Sequence, residues 1–181
     1  MHRGFTRKLG LEAVVLCSLI TGCSAGNGYS GDGRMIDNGP SAATDRYVID
    51  LGPIDLSTKG KRSFRLVNLP PENFGCGIEL SAPGASRVQW EEKRFGASVS
   101  MEIAADDGEV VMHVSGPLRD WTWSMYVTGA TNAFLYVQGP PGSFFDAKKG
   151  RSYRLDFSVI EPDQAHSEIK ATLKLKSGGW K

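Results

Sequence analysis

From Asp45 onward, apolar residues recur at every second position in short runs broken by Gly and Pro, which is the period of a half-buried strand. The most regular run is Ser152 to Ile160. There Tyr153, Leu155, Phe157 and Val159 fall on one face and Arg154, Asp156 and Ser158 on the other. In the last run Ile169, Ala171, Leu173 and Leu175 alternate with Lys170, Thr172, Lys174 and Lys176. That predicts an apolar face and a solvated lysine face, lying at an exposed surface or a protected sheet edge rather than forming a binding stripe. Seven further strands are predicted at Tyr47 to Leu51, Ser63 to Leu69, Gly77 to Ser81, Ser98 to Ala104, Glu109 to Ser115, Trp121 to Val127 and Ala133 to Gln138. Asp106, Asp107 and Gly108 form a hairpin turn, because Gly accepts the positive φ such a turn demands. Asn68 to Pro71 ends a strand, because proline cannot donate to a ladder, and Gly139 to Gly142 marks another turn. About nine short strands and no helical repeat predict an all-β fold, an antiparallel β-sandwich, with a partly closed barrel as the alternative.

Before Asp45 the pattern is different. Residues Ser24 to Thr44 read SAGNGYSGDGRMIDNGPSAAT, rich in Gly and small polar residues and without apolar period, and predict a flexible tether with no binding role. A Gly-rich coil of that length spans about 25 Å. Further upstream, Arg3, Arg7 and Lys8 precede an apolar stretch from Leu9 to Ile20, followed by Thr21, Gly22 and Cys23. This is the order of an export signal, and the stretch, interrupted by Glu12, is shorter than the roughly 20 residues of a spanning helix. The expected division is a signal peptide at 1–22, a tether at 23–44 and a single β-sandwich domain at 45–181.

Leu19, Ile20, Thr21, Gly22 and Cys23 resemble the lipobox of bacterial lipoproteins. The resemblance implies a thioether-linked diacylglycerol on Cys23, cleavage before it, and acylation of the freed amine by a fatty acid such as palmitate. One buried acyl chain anchors weakly, at about 0.8 kcal/mol per methylene, whereas several on one residue hold firmly. The expected partner is therefore a membrane in the bacterial cell envelope. Ser24, where inner-membrane lipoproteins carry Asp, points by the same resemblance to the outer membrane. The Gly-rich tether, the β-rich body and the ending GRSYRLDFSV…IKATLKLKSGGWK also resemble small proteobacterial lipoproteins, a likeness that brings no catalytic motif.

Charge and cysteines narrow the possibilities further. The chain of 181 residues holds 21 basic and 20 acidic side chains. Removing the signal takes Arg3, Arg7, Lys8 and Glu12 and leaves a nearly neutral protein, large enough for one domain. Its cations read as dispersed rather than gathered in one tract, which argues against a nucleic-acid partner. Cys17 leaves with the signal and Cys23 is committed to lipid, so Cys76 has no internal partner for a disulfide. A buried small hydrophobe is the expectation for it, an intermolecular bridge the alternative.

Chemistry-bearing motifs are sparse. The domain's histidines are His113, within a strand, and His166, in a polar loop. Neither belongs to a zinc, phosphate-loop or nucleophile-elbow motif. A nucleophilic Cys76–His113 pair has no local support. Asp106, Asp107 and Glu109 offer oxygen ligands for Ca²⁺, but their spacing suits a plain turn. Glu91 and Glu92, beside Lys93 and Arg94, read as an exposed loop rather than an acid and base. No metal and no cofactor is expected. Aromatic residues carry the one hint of recognition: Trp121, Trp123 and Tyr126 are the candidates for stacking against a ligand, although a Trp121/Trp123 face is first expected to be core. The expected function is a non-enzymatic, lipid-anchored envelope protein that binds an envelope protein or polysaccharide. A carbohydrate-binding module and a hydrolase with an unrecognised site are the alternatives.

Overall fold

The computed structural model describes residues 28–40, 45–81, 96–128, 132–138 and 143–177, and side chains outside 122–138. Among them are eleven strands: β1 (Arg34–Asp37), β2 (Tyr47–Ile54), β3 (Gly60–Val67), β4 (Asn73–Ser81), β5 (Ser98–Ala105), β6 (Val110–Pro117), β7 (Thr122–Thr128), β8 (Asn132–Gln138), β9 (Phe144–Asp146), β10 (Ser152–Glu161) and β11 (Lys170–Ser177). They form an antiparallel β-sandwich. One sheet runs β1-β2-β11-β4-β8-β7, with β9 also paired to β4, and the other runs β3-β10-β5-β6. Nine of the strands coincide with the predicted runs to within a few residues at each end. The barrel alternative gives way to two separate sheets.

Alternation places the core between the sheets. On β10, Tyr153, Leu155, Phe157 and Val159 are at most 5% exposed. They face Phe74, Ile78, Leu80, Leu173 and Leu175 of the opposite sheet in one hydrophobic cluster. Burial of each such side chain stabilises the fold by about 2 kcal/mol. Cys76 belongs to this cluster and is fully buried, and burial raises its thiol pKa far above the usual range, so it packs as an inert small hydrophobe.

Two expectations are corrected. Part of the expected tether belongs to the sandwich. Strand β1 pairs with β2 from Arg34↔Asp50 to Asp37↔Tyr47, and Met35 is buried. Just before it, the Ser30 and Asp32 amides donate to the carbonyls of Val67 and Arg65 on the edge of β3, and the Asp32 carboxylate accepts from the Arg65 amide. Residues 28–37 thus close one side of the sandwich by lying first along β3 and then along β2. Glycine makes this possible. A Cβ on Gly31 would clash with the Arg65 carbonyl, and one on Gly33, at φ +80°, with that of Asp50.

The lysine row is the second correction. Strand β11 is not an edge but lies between β2 and β4. Lys174 and Lys176 are opposite Gly77 and Gly75 of β4, which carry no side chains to compete for space. The Lys174 ammonium lies 2.6 Å from Glu79, and that of Lys176 lies 3.1 Å from Asp45 with its side chain only 7% exposed. These cations are part of the sheet's covered outer surface, paired rather than solvated.

Turn chemistry follows the sequence. Gly108 takes φ +88° in the β5–β6 hairpin, where its amide donates to the Ala105 carbonyl. Asn68, at φ 56°, ends β3 ahead of Pro70 and Pro71.

Candidate functional site

A buried polar cluster lies at the end of the sandwich where the β2–β3 turn meets the β10–β11 loop. Asp163 is its centre. Its carboxylate, 8% exposed, accepts from the Gly96 amide at 2.7 Å, from His166 Nδ1 at 2.8 Å and from the Ala165 amide at 3.1 Å. Its own amide donates to the Leu56 carbonyl. Burial by itself would raise the Asp163 pKa; the Gly96 hydrogen bond, His166 and the Ala165 amide outweigh it and hold the carboxyl below its ordinary value. Nearby, Asp55 accepts from the Ser57 amide and hydroxyl and from the Thr58 hydroxyl, and these bonds lower its pKa.

Between the two carboxylates is a recess lined by Asp55, Leu56, Ser57, Asp163, His166 and Ser167. It has room for about one water. An Asp–His pair can orient an imidazole for proton transfer. Here, however, Asp163 also caps the short 3-10 turn Gln164–His166, and the recess is far smaller than the roughly 300 Å³ of a small-molecule site. The arrangement ties the β2–β3 turn, Gly96 and the β10–β11 loop into one rigid platform. From sequence, His166 reads as part of a polar loop and Asp163 carries no local signal, because its bond to Gly96 spans 67 residues.

The structure separates the other candidates. Trp121 immediately precedes β7 and is 5% exposed within the core, which leaves no ring face open for stacking. The side chains of Trp123 and Tyr126 lie outside the described residues, as do Cys23, Glu91, Glu92, Lys93 and Arg94. Cys76 and His113 do not meet: Cys76 points into the core from the larger sheet, while His113 lies on the outer face of the smaller one, 55% exposed and 3.3 Å from Glu102. Alternation decides this, since its neighbours Met112 and Val114 take the inward positions.

At the β5–β6 turn a cation already sits among the acidic residues. The Arg151 guanidinium, 14% exposed, pairs with Asp107 and with Glu109 at 2.8 Å, and its Nε lies 3.7 Å from Asp106. The cluster therefore fastens the β5–β6 turn to the turn before β10. No group of three or more His, Cys, Asp or Glu among the described residues is arranged to hold a metal ion.

Two surface features escaped the sequence reading. Lys59, Lys61, Arg62 and Arg65 place four cations on or beside β3, an edge of the smaller sheet, and all are exposed. They stand in a run of seven residues, KGKRSFR, with no acid among them, a local signal against the reading of dispersed charge. Across the same outer face, register lines up Ser63, Asp156, Glu102 and His113. Asp156 accepts there from Ser63 Oγ at 2.6 Å and Arg154 Nε at 3.0 Å.

No protein-family model and no curated protein matches this chain. Among the described residues, no helix is long and apolar enough to cross a membrane.

Proposed function

We propose that the protein is a non-enzymatic lipoprotein of the bacterial cell envelope, anchored through acyl chains on Cys23 and presenting its β-sandwich to another envelope component. The observation that carries this reading is the order Leu19-Ile20-Thr21-Gly22-Cys23 after a basic start and a short apolar stretch. Ser24 favours the outer membrane. The binding role draws support from the chemistry of the domain. Asp163, hydrogen-bonded to His166, and Arg151, paired with the acidic turn, join loops to one another. The exposed cations of β3 and the loops around Asp55 and Asp163 offer a polar surface to a protein or polysaccharide.

Metabolic labelling with a radioactive fatty acid tests the anchor. Wild type is expected to carry label and to sediment with membranes, whereas Cys23→Ala is expected to lose both. Undiminished labelling of Cys23→Ala would refute the assignment.

A further inference from the structure

The segment between lipid and domain is much shorter than its composition suggests. Residues 29–38 are fastened throughout: the Tyr29 hydroxyl donates to the Asp32 carbonyl at 2.6 Å, Asp32 pairs with Arg65, β1 pairs with β2, and the Asn38 amide donates to the Arg46 carbonyl. Tyr29 and Met35 pack against the core. From Cys23 to Gly28 the chain can span at most about 18 Å when fully extended.

Direction matters as much as length. Ser30 bonds to Val67 and Asp32 to Arg65, so the segment runs antiparallel to β3. Traced back towards Cys23, it leaves the domain at the end where β3 stops and β10 starts, since Val67 pairs with Ser152. That end carries the turns 68–72, 106–109 and 147–151, two of them tied together by Arg151. The opposite end, with the β2–β3 turn and the Asp163 cluster, lies a whole strand away, about 33 Å along the ten residues of β10.

We infer that the anchored protein stands on the lipid surface with the 68–72, 106–109 and 147–151 end against the headgroups, held there by residues 28–37 acting as a rigid strap. This rests on lipidation of Cys23. An inverted stance would require the chain from Cys23 to run the height of the sandwich, and the available 18 Å or so is too short for that. The Asp55 and Asp163 loops and the basic start of β3 consequently point away from the membrane, where a partner meets them. Because covalent reach sets the stance, it does not depend on lipid charge.

The test uses the full lipidated protein in zwitterionic vesicles carrying a headgroup energy-transfer acceptor. A donor is attached through Lys149→Cys or Lys59→Cys, both exposed positions, while Cys76 is buried and Cys23 is blocked by lipid. At least the paired stretch from Ser152 to Val159, about 23 Å of strand, separates positions 149 and 59, so transfer from position 149 is expected to be at least about twofold higher than from position 59. The difference should persist at high salt and shrink when about 20 Gly and Ser residues are inserted between residues 27 and 28. Equal or reversed transfer in protein that floats with the vesicles overturns the stance and leaves the anchor standing. Protein that fails to float overturns the anchor, and the stance with it.

Discussion

Gly31 lies against the edge of β3 so closely that a Cβ on it would penetrate the carbonyl oxygen of Arg65. The same contact at Gly33 involves the carbonyl of Asp50, and there the backbone is also left-handed at φ +80°. Glycine is thus needed at both positions for close approach rather than for flexibility. Gly33→Ala is expected to cost at least about 2 kcal/mol, the sum of a left-handed alanine and a displaced strand. Urea melts measure it. A midpoint equal to wild type would return this segment to the status of a tether.

A related comparison concerns the domain boundary. A chain beginning at Gly28 keeps β1, Met35 and the bonds to Arg65 and Val67. One beginning at Asp45 loses them, and is expected to melt at least about 2 kcal/mol less stable from the loss of Met35 burial alone. Equal thermal and urea stabilities would contradict the strap.

Strand β10 offers the cleanest test of inside and outside. Phe157 is 2% exposed, so Phe157→Ala should cost about 3 to 5 kcal/mol. Asp156 is 37% exposed in its side chain, and Asp156→Ala should cost less than about 1 kcal/mol. Similar or reversed losses in urea midpoint would overturn the register.

These results also show which parts of the structure were legible in the sequence. Long strands with one buried face announce themselves, as β10 and β11 do, because every second side chain must be apolar. Strands β1 and β9 do not: each is short and contributes a single buried side chain, Met35 or Phe145, too few to make a period. Glycine content pointed to flexibility at 28–37 because composition cannot distinguish freedom from close approach. The lysines of β11 had the right period, yet their pairing depends on β11 being central, which is fixed by partners about a hundred residues away. Asp163 and Arg151 were missed as hubs for the same reason, since Gly96, Asp107 and Glu109 are remote in sequence. The order read as an export signal, by contrast, is local, carried by residues 3 to 23 alone.

Asp163 should leave a signature in pH. Its folded pKa lies below its ordinary 3.8, so its contribution to stability is present above that value and is lost as pH falls through the lower, folded one. Asp163→Asn is expected to be less stable than wild type by about 2 kcal/mol near neutrality, through weakened hydrogen bonds to Gly96, Ala165 and His166. The gap should close below about pH 3.8. Asp55 and Asp107 have pKa values lowered in the same sense, so acid weakens both proteins and the difference between them isolates Asp163. A gap unchanged between neutral and strongly acid pH would show that the carboxylate's charge does not hold the loop.

The proposed anchor and the membrane stance both depend on the chemistry of Cys23. Mass spectrometry of the amino-terminal peptide of protein purified from membranes reads that chemistry directly. The expected peptide begins at Cys23 and carries the added mass of a diacylglycerol and an amide-linked acyl chain, with nothing from residues 1–22. A peptide beginning at any other residue, or an unmodified Cys23, would contradict the lipid anchor and the membrane stance derived from it.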